Sequence, residues 1–362
     1  MKNSPSTITL KRRGFEFGIT DIKHNQESDS LKNWHLGKPV LLKGALLSEL
    51  HHHHQSIQQT QALISAVLNK EACDSRLAHP PYSSRLEPKF QSLGSAYNEG
   101  DQQEIETVIF DVMDGQDLIA EDLWLKVSWL SFHDNDPSLR FRFSFGIDHA
   151  EDVAADPKRQ QLAAELSDAV FPESSIITNN QPLRDTLTTI LMGKKPRFVE
   201  RIVYFNAPNG GAYLHHDLER GHSGVVFAQL SGCTLWLALP KHELVEEIIL
   251  FSKQHPWPTS LTLEMREEMS NLLADRCYLS DQLVAFSNSS LIHLINETTE
   301  FVQFLITRGH GRHLTSGDVL LLPQANENTC CWHSVFCSGN EMGQALSFAI
   351  RPDDHEPCLG NN

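Results

Sequence analysis

The sequence predicts a mainly β protein with helices: a β-rich C-terminal part, an α+β region before it and a helical insert within it. Three observations predict this. From about Lys195, short apolar segments (198–205, 225–230, 234–239, 283–286, 319–322, 345–350) recur between Gly, Asn and Pro turns, as a β-sandwich or small barrel requires. Inside that part, 241–254 and 260–275 carry helical periodicity and read as an insert at about 241–275. The preceding residues mix amphipathic helical stretches with a strand pair. A chain of 362 residues makes one large domain or two ordinary ones, and the change of texture divides it into 1–195 and 196–355.

In chain order, the residues up to Lys43 read as short strands and loops. Gly44 to Lys70 carries Leu46, Leu47, Leu50, Ile57, Leu63, Ile64 and Val67 at an approximate helical period and encloses the run His51 to His54. Consecutive helical residues point about 100° apart, so four adjacent histidines cannot face one ion and form a solvated face. Residues 75–98, rich in Pro, Ser and Arg, read as an irregular connection. Residues 99–122 hold nine acidic side chains and no basic one, a run expected to be solvated. A hairpin follows. Leu123, Leu125, Val127 and Trp129 form one strand and 133–137 the turn; Phe141, Phe143 and Phe145 alternate with Arg140, Arg142 and Ser144 on the return. That period of two packs three rings inward and turns two arginines outward. Helices are expected over 157–169 and 182–192.

Composition excludes several classes. Thirty Lys and Arg against 46 Asp and Glu leave a formal charge of −16, unsuited to wrapping a phosphate backbone. No apolar run is long enough to span a membrane, and residues 1–14 lack the apolar core of a secretion signal. Seven cysteines, an odd count without regular spacing, argue against a disulfide scaffold. A cytoplasmic protein is expected, and its 19 histidines are the unusual entry in the composition.

The chemistry-bearing segment runs from Arg201 to Asp217: a strand, a Gly-rich turn, then His215-x-Asp217. Two residues apart on an extended chain, an imidazole and a carboxylate point to the same side and reach one metal ion, while His216 faces away. A second imidazole would complete the two-histidine, one-carboxylate set that suits non-haem Fe(II) and leaves positions open. His333 is the candidate. It follows the turn, strand and terminator Gly317-Asp-Val-Leu-Leu-Leu-Pro323 and sits in Cys331-Trp-His-Ser-Val-Phe336, near the mouth of a small barrel.

The order His-x-Asp, Phe227-x-Gln229-x-x-Gly232, Trp236-Leu-Ala-Leu-Pro240, Gly-Asp-x-x-x-x-Pro and distal His resembles the JmjC branch of the cupin superfamily. Val-Phe-Ala-Gln-Leu-Ser-Gly (226–232) is similar to the matching strand of its asparaginyl-hydroxylase-like members, and Pro39 to Gly44 resembles the segment that precedes their core. The resemblance covers about 198–350. It implies a double-stranded β-helix (the jelly-roll, or cupin, fold), Fe(II) held by His215, Asp217 and His333, and oxidation of a C–H bond by dioxygen with 2-oxoglutarate. The partners implied are a protein, peptide or small-molecule substrate, with no nucleic acid and no membrane; a homodimer is allowed for. Many members carry a lysine two positions after the glycine, where it binds the distal carboxylate of 2-oxoglutarate. Here Gly232-Cys-Thr234 puts a threonine there, which can donate a hydrogen bond but supplies no charge. Arg201, Arg220 and Arg351 are the bases available to replace the lysine.

Alternatives stay open beside this reading. His293 is a competing third ligand or a core histidine, and Cys330, Cys331 and Cys337 are zinc ligands or ordinary buried thiols. Glu219 and His222 orient a ligand or are plain loop residues. Functionally, the alternatives are an iron cupin dioxygenase that does not use 2-oxoglutarate and a non-catalytic binding module.

Overall fold

The computed structural model describes residues 8–12, 15–19, 29–97, 103–130, 137–146, 155–218 and 222–353. The N-terminal elements are β1 (Ile8–Arg12), β2 (Phe15–Ile19), α1 (Ser30–His35), β3 (Val40–Leu42), α2 (Leu47–Leu68), α3 (Cys73–Leu77) and α4 (Tyr82–Leu86). Then come β4 (Phe90–Ala96), β5 (Glu104–Asp114), β6 (Asp117–Trp129), β7 (Leu139–Phe145), α5 (Pro157–Val170), α6 (Ser175–Asn179) and α7 (Gln181–Ile190). The second part opens with β8 (Pro196–Asn206), β9 (Gly211–His215), β10 (Gly224–Gln229) and β11 (Cys233–Pro240). Five helices follow: α8 (Lys241–Gln254), α9 (Leu263–Leu273), α10 (Arg276–Ala285), α11 (Ser289–Glu297) and α12 (Thr299–Thr307). It closes with β12 (Gly311–Thr315), β13 (Val319–Pro323), β14 (Cys331–Cys337) and β15 (Gly343–Pro352).

The molecule mixes α and β and is built on large antiparallel sheets. A nine-stranded sheet runs β3-β13-β10-β15-β8-β7-β6-β5-β4 and a four-stranded sheet β12-β11-β14-β9, beside the small β1-β2 pair. Strands from both sides of residue 195 therefore share one sheet. From β8 onward the chain switches sheet at each turn, except across the helices between β11 and β12. The two sheets face each other through Val225, Phe227, Leu320 and Leu322 on one side and Trp236, Ala238, Leu314 and Val335 on the other. No strand pairing among the described residues closes them into a barrel.

Strand periodicity explains why three apolar layers form. On β11, Trp236 and Ala238 point into the sandwich. Leu235, Leu237 and Leu239 point outward, where Leu244, Ile248, Phe251 and Phe301 of the helical insert cover them. A strand buried on both faces reads as a continuous apolar run, as this one does. The large sheet buries its other face under α2, α5 and α7, and the three rings of β7 pack there as the alternation predicts: Phe141 lies edge-on to Phe171 and Phe205, centroids 5.2 and 5.5 Å apart. Side-chain caps at Asp156, Asn180, Thr262, Asp275 and Asn288 start five of the helices. His51, His52 and His54 lie exposed on α2.

The structure departs from the sequence reading in five places, the first being α1 (Ser30–His35), a helix within residues expected to form short strands and loops. Residues 283–286 are not a strand; they finish α10, which Phe286 ends in a left-handed conformation. The insert continues through α11 and α12 rather than stopping near 275. Residues 75–98 contain α4, part of α3 and β4 rather than an irregular connection. The acidic run 99–122 holds most of a β-hairpin. There Val108, Phe110 and Val112 are fully buried, and buried Glu106 accepts hydrogen bonds from the Cys73 and Asp74 amides (2.5 and 3.1 Å) at the start of α3. Residues 131–136 of the expected hairpin turn lie outside the described residues.

Candidate metal centre

His215 ends β9 and His333 lies on β14, and the antiparallel register places them directly opposite each other. Side chains so paired stand about 5 Å apart at Cβ, and these two rings meet at 4.3 Å between centroids. Asp217 follows two residues past His215. Its Oδ1 lies 3.5 Å from His215 Nε2 and its Oδ2 3.3 Å from His333 Nε2. One ligand atom from each of the three residues lies within 4.8 Å of the others, and this is the one such cluster among the described residues. Gly211 makes the approach of β9 to β14 feasible. It has φ +141°, and a Cβ there would sit 2.0 Å from the Val335 carbonyl oxygen.

The imidazoles are oriented from behind. His215 Nδ1 lies 2.6 Å from the Tyr213 carbonyl oxygen and His333 Nδ1 lies 3.1 Å from that of Cys331. A carbonyl oxygen only accepts, so each Nδ1 carries the proton, and in the neutral rings both Nε2 lone pairs point at the centre. Enclosure pushes the Asp217 carboxyl up, but when the rings are protonated their Nε2 atoms donate to it instead, and that charge and those hydrogen bonds from His333 and His215 hold the carboxyl well below the ordinary range. His333 is 3% exposed, against 43% for His215 and 38% for Asp217. His333 is therefore the floor of the site, and the other two form its open rim. His216 faces the other way, edge-on to Trp332 at 5.0 Å, and its Nδ1 accepts the Leu218 amide at 3.2 Å.

The triad opens into a narrow cavity of about 70 Å³ between the sheets. Trp236 forms one wall, its ring 5.4 Å from His333 and 4.5 Å from Phe227. Val225, Leu322, Val335 and Leu130 extend the apolar lining. Tyr204 and Asn206 of β8 and Ser347 of β15 line it too, with no side-chain hydrogen bond among the described residues. Burial pushes the Tyr204 phenol far up, so it stays a neutral donor. Arg140 stands opposite Tyr204 on β7, donates Nε to Ser128 Oγ at 3.2 Å, and acts electrostatically on the phenol.

The expected cosubstrate residues are placed elsewhere. Thr234 is not among the lining residues. Its hydroxyl donates to Gln229 Oε1 (2.9 Å) and accepts from Trp236 Nε1 (3.0 Å), so its one proton is already committed. Arg201 lies one residue out of phase with Tyr204, hence on the opposite face of β8, where it pairs with Asp168 at 3.1 Å and lies over the Phe348 ring. Arg351 shares a face with Ser347 but stands four residues, about 13 Å, further along β15 and does not line the cavity. Arg220 and Glu219 lie outside the described residues.

His293 sits on α11 and pairs with Glu297 at 2.8 Å rather than joining the triad. Cys330, Cys331 and Cys337 are buried free thiols in no ligand cluster among the described residues; burial pushes Cys330 up to about 11 and raises Cys331 well above its ordinary value. His222 is buried. Sequence reasoning missed Tyr204, Asn206 and Ser347, and it gave Arg140 no place beside the site. All four become neighbours only through the pairing of β7, β8 and β15, and no local pattern marks them.

No protein-family model matches the chain, and no curated protein matches it. Among solved structures it is similar to two of YcfD from Escherichia coli, one described as a ribosomal oxygenase. Identity is 12% in both; the matches cover 92% of this chain and 54% and 55% of those chains, with TM-scores of 0.27 and 0.28. The chain thus spans about half the length of the structures it matches. An overlay that loose carries no functional weight.

Proposed function

We propose that His215, Asp217 and His333 hold Fe(II) and that the protein is a non-haem iron oxygenase. On this reading it oxidises a C–H bond of a protein, peptide or small-molecule substrate, with 2-oxoglutarate as cosubstrate, in the cytoplasm. The observation that carries it is the convergence of two Nε2 lone pairs and one carboxylate on a single point at the rim of a cavity. Two imidazoles and a carboxylate are the donor set that suits Fe(II) and leaves positions open for other ligands. Bound there, the metal would supply the site for dioxygen and for a chelating oxo-acid. The chain's own part is to aim the imidazoles, present Asp217 ionised, and keep water out with Trp236, Phe227 and Leu322. Tyr204, Asn206 and Ser347, with Arg140 behind Tyr204, are the donors available to a distal carboxylate in place of the missing lysine. The two facing sheets support a double-stranded β-helix over 196–355, with 1–195 as an α+β region that extends its large sheet.

Anaerobic titration with Fe(II), then with 2-oxoglutarate, tests this. Saturable metal binding, a charge-transfer band on adding the oxo-acid, and succinate formation in air are expected, each lost in His333→Ala. A chain that binds no Fe(II) with its triad intact would overturn the proposal. A second reading, an iron dioxygenase that uses no 2-oxoglutarate, is favoured by the committed hydroxyl of Thr234. Metal binding without any response to 2-oxoglutarate selects it.

A further inference from the structure

We propose that the free edge of β4, with the groove at its start, docks an extended basic peptide segment that joins the nine-stranded sheet as a further strand. β4 is the last strand of that sheet and, among the described residues, pairs only with β5. Edges of this kind are usually guarded by charge, proline, a β-bulge or a covering element; β4 has a bulge and one side-chain bond to α3, Ser92 Oγ donating to Asp74 at 2.6 Å, but lacks the other guards. The sequence of β4, Phe-Gln-Ser-Leu-Gly-Ser-Ala, has neither charge nor proline, and residues 91–97 are exposed apart from the half-buried Gly94. A register shift between Ser92 and Gly94 leaves Leu93 unpaired and 58% exposed, and Tyr97 beyond it is 65% exposed. Among the described residues no backbone hydrogen bond runs outward from this edge to another element.

Beside the first residues of β4 lies a groove of about 400 Å³. Pro88 and Met113 give it apolar surface over the buried Leu77, Leu86, Phe90 and Phe110, and Asp74 and Glu87 are its charged lining residues, both acidic. The neighbouring β5–β6 hairpin exposes Asp114, Asp117, Glu121 and Asp122, and no basic residue occurs in 99–122. A strand added to an edge gains affinity from main-chain hydrogen bonds and specificity from alternate side chains entering pockets. Here the groove takes an apolar side chain, and the carboxylates favour Lys or Arg on its neighbours. A second copy of this chain would bring the same acidic hairpin to the contact, so charge favours a basic partner over self-pairing.

The test uses the full chain and a labelled synthetic octapeptide, Lys-Val-Lys-Phe-Lys-Val-Lys-Val, with its Glu-for-Lys counterpart as control. Fluorescence anisotropy is expected to show saturable binding of the basic peptide that weakens with added salt, and none of the acidic one. Hydrogen exchange is expected to show new protection at the amides of 91–97. Ser95→Pro, which removes an amide of β4 and disturbs the strand, and Leu93→Lys, which sets a charge like the peptide's on the edge, should each weaken binding at least tenfold. Leu93 is exposed, so Leu93→Lys reports even where the proline variant fails to fold. Binding without protection at β4, equal binding of the acidic peptide, no binding, or a dimer in sedimentation that Leu93→Lys dissolves would each overturn the proposal.

Discussion

At the scale of single residues, Thr234 shows how a side chain expected to meet a ligand serves the interior instead. It is 1% exposed and links Gln229 to the indole of Trp236, so the ring that walls the cavity is held by this hydroxyl. Thr234→Val removes the partner of two buried polar groups, each costing about 1–3 kcal/mol when left unsatisfied. Chemical denaturation should show a loss in that range and metal affinity should change little, because neither polar group is one of the three ligands. Asp217→Asn has the opposite profile. It takes away the charged ligand but leaves the backbone intact, so metal binding is lost while the apo-protein gains no cavity. Isothermal titration with Fe(II) or Co(II), beside denaturation of the metal-free variant, checks both. Of these residues His215 and Asp217 were legible, since a spacing of two on an extended chain puts them on one side, and the segment stays close enough to extended past the end of β9 for that to hold. Tyr204 was not: its role depends on which strands become its neighbours.

At the scale of elements, the turn between β12 and β13 clasps the end of β3, already paired with β13 in the large sheet, through one carboxylate. Asp318 accepts from the Gly44 and Thr315 amides at 2.8 and 2.7 Å and from Lys43 Nζ at 2.5 Å. Burial pushes its carboxyl up, but Lys43 and the amides prevail and hold it below the ordinary value. A carboxyl whose folded pKa is depressed contributes stability that is complete above its unfolded pKa, about 3.9, and disappears as pH falls through the folded one. Melting curves across that acid window should therefore fall less steeply for Asp318→Asn than for the parent, with the variant less stable at neutral pH. Element identity was well read where periodicity ran long, as in α2, α5 and α8. It failed at 283–286, where a short apolar stretch at a helix end has no period of its own, and at 99–122, where charge drew notice away from the alternation of Val108, Phe110 and Val112.

At the scale of the whole molecule, the site exists only because β9 and β14, far apart in sequence, pair inside the small sheet. The sequence carried the contents of both segments, but only the sheet order shows that their histidines are register partners. A metal bound by both segments binds the folded state and not the open chain, so its affinity becomes stability: at one hundred times Kd it adds about 2.7 kcal/mol. Thermal unfolding with saturating Fe(II), kept anaerobic, should then rise by a few degrees over the metal-free protein. The rise should shrink in acid, where imidazole nitrogens must lose protons to bind the metal. Gly211→Val separates geometry from ligand identity. All three ligands remain, but a Cβ 2.0 Å from the Val335 oxygen forces β9 off β14, so the metal-induced rise should vanish with the triad's sequence unchanged. A full rise in that variant would mean that the strand pairing does not build the site.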